Sequence, residues 1–209
     1  MLFRTIVSAF YLSAAVDDDL VGLVRRSGMT DFAPLDEMTR VSLGFHDPDR
    51  PVLGGTWDTY RATWAIVDDA EGLRILQLYS QAALFFDAAR ESADANADEN
   101  DWPLAGYVRT FREACLALAP VAAFLDTGAH FEDEAWVDRQ GSRSFVLQLA
   151  PPVATRDPDA LAQHRFSLLF LDGEMSKRLT AGLPWSDREE VEVPSGRLLF
   201  ARSGPTRMS

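Results

Sequence analysis

Apolar and polar positions change their spacing several times along the chain, and each change predicts an element. Residues 2–12 read as a first strand. Arg4, the apolar positions from 6 to 16 and the small residues Ser13, Ala14 and Ala15 have the outline of a secretion signal, but Ser8, Tyr11 and Ser13 break the apolar run. Asp17, Asp18 and Asp19 open a short helix that closes on Arg25, Arg26 and Gly28, the charge order a helix dipole favours. Residues 38–45 read as a strand, and 46–51, with two prolines and three charged residues, as a turn.

The centre of the first half is a predicted hairpin. Along 57–67, Tyr60, Ala62, Trp64 and Ile66 alternate with Thr59, Arg61 and Thr63. Residues 73–79 return as the partner strand across a turn at 68–72. Both faces of the pair carry apolar residues, which suits central strands. Ser80 then reads as the cap of a helix reaching residue 92. Residues 93–101 hold no large apolar side chain and read as a polar linker.

Beyond the linker, Leu104, Val108, Phe111, Cys115 and Leu118 recur at helical spacing behind an Asp101 cap. Pro120 stops that helix. Residues 132–141 read as a short helix, 144–149 and 165–171 as strands, and Asp172 as the cap of a helix through Arg178. Residues 190–193 and 197–201 form a closing hairpin around Pro194 and Gly196. Adjacent strand pairs joined by short turns predict an α+β fold, mainly antiparallel, with helices packed on one face. Residues 1–209 make either a single α+β domain or two small α+β halves, 1–92 and 102–209, joined by 93–101.

Charge changes the picture more than hydrophobicity does. The net charge is −12, which excludes nucleic-acid binding through a basic surface. The acidity is lopsided: up to residue 105 there are 8 basic and 18 acidic residues, and beyond it 12 and 14. One cysteine, Cys115, allows no intrachain disulfide and fits a reducing, cytoplasmic setting; its place on an apolar helical stripe makes it a buried, inert thiol. No stretch is apolar for the ~18 residues that a membrane span requires.

Chemical motifs are absent or incomplete. There is no glycine-rich nucleotide loop and no nucleophile elbow. Asp94, Asn96 and Asp98 copy the start of a calcium loop, but Glu99 and Ala105 stand where glycine and a bidentate glutamate are needed. Asp172 and Glu174 miss the second aspartate of an aspartyl phosphatase. His46, His130 and His164 are not spaced as ligands on a helix, so no metal, cofactor or catalytic set is expected.

Two function classes remain. The first is a non-catalytic acidic interaction protein of inhibitor or immunity type that covers a basic protein partner. Its contact residues are the hairpin-tip acids Asp68, Asp69 and Glu71, the linker acids Asp94, Asp98, Glu99 and Asp101, and Trp102. The second is a small enzyme whose site is assembled from scattered groups such as His130, Glu132 and His164.

Overall fold

The structure is a computed structural model that describes residues 5–16, 19–57, 60–81, 103–126, 139–164, 166–179 and 188–201. Its frame is a nine-stranded, wholly antiparallel sheet in the order β2-β3-β4-β5-β1-β6-β7-β9-β8. The strands are β1 (Thr5–Ser13), β2 (Met29–Pro34), β3 (Leu53–Trp57), β4 (Tyr60–Ala70), β5 (Leu73–Gln81), β6 (Ala122–Asp126), β7 (Leu168–Asp172), β8 (Arg188–Val193) and β9 (Gly196–Ala201). The helices are α1 (Leu20–Arg26), α2 (Glu37–Ser42), α3 (Pro103–Leu118), α4 (Arg139–Gln148), α5 (Ala150–Ala154), α6 (Pro158–Ala162) and α7 (Gly173–Arg178).

Strand β1 lies mid-sheet, between β5 and β6, because it is apolar on both faces. Ala9 and Tyr11 enter one core, while Ile6, Phe10 and Leu12 enter the other. The first core holds Trp64, Ile66, Phe124 and Leu169 under Phe145, Val146, Leu149, Val153 and Leu161 of α4–α6. The second holds Leu76, Leu78, Ala123 and Phe170 under α1 and the Phe111, Cys115 and Leu118 stripe of α3. The α+β class and the antiparallel sheet are as expected, and the one-face arrangement is corrected: helices cover both faces. Mixed apolarity on the central strands is the physical reason, since each face has to be shielded from water.

The sheet's outer strands are guarded. In β2 the pairing shifts between Thr30 and Ala33, Asp31 sits at φ 51°, and Pro34 ends the strand. The β8 sequence carries three glutamates.

Several local expectations hold. Asp19 caps α1 by accepting the Gly22 N–H at 2.8 Å, and Gly28 follows at φ 85°. Asp172 caps α7, accepting the Glu174 and Met175 N–H groups. Helix 103–118 and the β8–β9 hairpin are present.

Others are corrected. Residues 38–45 are mostly helix, not strand, because Asp36 caps α2 through the Thr39 N–H at 2.9 Å. The predicted strand 57–67 is divided, with Trp57 ending β3 and β4 running back beside it. Residues 144–148 belong to α4, where Phe145 and Val146 are buried, and Leu149, just beyond its end, is buried with them. Ser80 lies inside β5, its hydroxyl 2.8 Å from that of Thr63, where a helix cap was expected; the helix expected to reach residue 92 lies beyond Gln81, outside the described residues. Linker 93–101 lies outside the described residues.

An acidic sheet end above a buried ion cluster

The β4–β5 hairpin turns on two residues, Glu71 at φ 54° and Gly72 at φ 72°, a type I′ geometry that matches strand twist. The turn is therefore shorter than the expected 68–72, and β4 continues through Ala70. This overturns the placement of Asp68 at an exposed tip. Asp68 shares a face with Trp64 and Ile66, and its side chain is only 11% exposed.

Burial of that carboxylate is made tolerable by four donors. Arg143 reaches it with two bonds, Nε to Oδ2 at 3.0 Å and Nη2 to Oδ1 at 2.9 Å. Arg50 pairs with Oδ1 through Nη2, and Gln77 donates Nε2 to Oδ2 at 2.7 Å. The buried Tyr79 hydroxyl in turn donates to Gln77 Oε1. Burial raises the Asp68 pKa, but the hydrogen bonds and charges of Arg143 and Arg50 outweigh it and hold the carboxyl below its ordinary value. The Asp68 bond correspondingly raises Arg143. An ionised carboxylate has about four acceptor sites. Four donors match that number, so the charge of Asp68 is compensated inside the fold.

The same arginines decide what the surface carries. Arg50 Nη2 also donates to Val67 O at 2.8 Å, tying the 47–50 loop to β4. Arg40 donates Nη1 to Pro48 O at 3.2 Å and Nη2 to Asp47 O. Arg74 Nη1 lies 3.4 Å from Val16 O. Their cationic heads are thus spent on Asp68 and on main-chain carbonyls. Around them Asp47, Asp49, Asp69 and Glu71 are exposed. Asp69 is 79% exposed and only 4.0 Å from Arg74 Nε, a contact that contributes little.

Of the predicted contact residues, Asp69 and Glu71 stand together on this end and Asp68 lies beneath them. Asp94, Asp98, Glu99, Asp101 and Trp102 are outside the described residues, as are His130 and Glu132 of the enzyme alternative. His164 is described: its ring packs against Phe145 and Phe166 at 5.4 and 6.1 Å, and partial burial lowers its pKa. Among the described residues, no three His, Cys, Asp or Glu side chains gather as a metal group. None of the described helices is long and apolar enough to cross a membrane. Cys115 is buried, which pushes its thiol pKa well up.

Sequence reasoning missed Arg50, Arg143 and Gln77, and the exposed pair Asp47 and Asp49. One signal was available: a Gly at 72 behind Glu71 marks a two-residue turn, which places Asp68 inside a strand and in need of a cation.

No family model matches the chain, nor does any curated protein sequence. Among solved structures it is similar to the Pseudomonas aeruginosa T6SS protein PA0821, at 13% identity and a TM-score of 0.44 over 94% of this chain. The chain spans 64% of the length of that protein's chain. So weak a likeness assigns no family.

Proposed function

We propose that this is a non-catalytic interaction protein, of inhibitor or immunity type, whose acidic sheet end docks on a basic protein partner. The supporting observation is the division of charge at that end. Arg40, Arg50 and Arg74 are turned onto carbonyls and Asp68, while Asp47, Asp49, Asp69 and Glu71 face water. A field made this way attracts a basic surface during encounter and orients it. The net charge of −12 adds to the attraction at longer range.

The test is kinetic. A basic partner recovered by cross-linking is titrated from about 0.01 M to about 1 M salt, over which the screening length falls from ~30 to ~3 Å. Association slows steeply while dissociation changes little. The combined variant Asp47→Asn, Asp49→Asn, Asp69→Asn and Glu71→Gln slows association at low salt and removes most of the salt dependence. An association rate indifferent to both salt and this variant refutes the reading.

A further inference from the structure

Helix α2, joined to this acidic end through Arg40, has an unusual distribution of apolar side chains. No residue of α2 is buried. Met38 is 81% exposed and Val41 49% exposed, and they are one helical turn apart, on the same side. They are two of the four large hydrophobics that the described residues expose.

A six-residue helix is not stable on its own in water, so the surroundings hold α2 in place. Asp36 caps it, and Arg40 fastens it to the 47–48 carbonyls. Leu35 N–H bonds Val52 O at 3.1 Å, and half-buried Leu35, Leu43 and Phe45 pack on the first core. Phe45 meets the edge of Tyr79, with ring centroids 6.2 Å apart. Arg50 pins the far end of the segment to β4. The outcome is a strap, 35–52, tethered at both ends, that presents Met38 and Val41 outward. Around them stand the exposed acids Asp36, Glu37, Asp47 and Asp49, while Arg40, the one cation within α2, points at carbonyls.

We propose that Met38 and Val41 are the apolar anchor of the docking surface, and that the occupant is a basic amphipathic helix of the partner, with an apolar stripe flanked by Lys or Arg. This rests on the proposed interaction function and names the chemistry of its partner. Charge complementarity selects this occupant. A second copy of the chain would bring the same four acids against one another. An anionic lipid surface would meet the same repulsion. Interface centres are more apolar than their polar rims and are enriched in methionine, and a preformed strap avoids the ordering cost of a flexible loop.

The probes are two synthetic peptides of equal length and equal positive charge, one a Leu/Lys amphipathic helix and the other a Lys/Ser control. Binding is followed by fluorescence anisotropy at low salt, and amide shifts by heteronuclear NMR. The wild-type protein binds the Leu/Lys helix at least about tenfold more tightly than the control, the gain from covering two aliphatic side chains. Shifts concentrate in 36–50. The double variant Met38→Ser, Val41→Ser binds both peptides equally and keeps the urea midpoint of the wild type. Preference for Leu/Lys that survives in the double variant overturns the anchor. So does self-association, or binding to anionic vesicles, that the double variant abolishes. Equal, salt-sensitive binding of both peptides overturns the anchor and leaves the electrostatic reading standing; failure of both peptides to bind at low salt defeats both.

Discussion

Substituting Asn for Asp68 removes one charge and little volume, and it tests the compensation of that charge inside the fold. The side chain left behind that matters most is Arg50, only 14% exposed; Arg143, at 41%, recovers water. Breaking a buried pair from one side costs about 3–5 kcal/mol, and the exposed share of Arg143 discounts the total. The expected loss is therefore about 3 kcal/mol. With a urea slope near ~3 kcal/mol/M, the midpoint falls by about 1 M. A double-mutant cycle separates the partners: coupling of Asp68 to Arg50 exceeds coupling to Arg143, because the first pair is better shielded from solvent. The pH dependence has a definite sign. A carboxyl whose folded pKa is depressed contributes stability that is fully present above its unfolded value, about 3.9, and is lost as pH falls through the folded one. Asp68→Asn consequently flattens the acid limb of the stability profile. A loss below about 1 kcal/mol, or a larger coupling to Arg143 than to Arg50, would refute the reasoning.

Three further substitutions probe the frame. Phe111 is fully buried with its ring centroid 5.3 Å from that of Phe10, so Phe111→Ala costs about 3–5 kcal/mol by urea unfolding. The Ser8 hydroxyl is buried without a hydrogen-bond partner among the described residues, so Ser8→Ala leaves the thermal midpoint unchanged or raises it; a clear drop would reveal an unrecognised bond. A Cβ at residue 196 would lie 2.1 Å from the Leu171 carbonyl oxygen, so Gly196→Ala disrupts the β7–β9 ladder, seen as lost amide protection in both strands.

Signals that act over a few residues were readable from the chain alone. The Asp19 and Asp172 caps, the apolar stripe of α3 and the two hairpins each involve partners close in sequence or a sustained period. What failed depended on distance or on brevity. The β6 segment Ala-Ala-Phe-Leu-Asp is five residues long and buried throughout, so it shows no alternation that distinguishes a strand from a helix end. The 144–149 segment alternates loosely enough to mimic a strand, and only the core beneath it selects the helical side. The partner that holds Asp68 inside, Arg143, is 75 residues away, a separation at which no local pattern operates. Asp69 and Glu71 are exposed as expected, and among the described residues no side chain distant in sequence pairs with them.

The position of β1 in the sheet sets a timetable for synthesis. One edge of β1 is satisfied by β5, which ends at residue 81, whereas the other waits for β6, which begins at residue 122. At a translation rate of about 5–20 residues per second, the ribosome needs roughly two to eight seconds to make the chain between them. During that interval Val7, Ser8, Ala9, Phe10 and Tyr11 offer an open, largely apolar strand edge on the nascent chain. The mature molecule guards its outermost strands, but this inner edge has no guard until its own partner is made. Crowded expression therefore puts neighbouring nascent chains in competition with β6, and slower delivery of residues 82–121 lengthens the exposure.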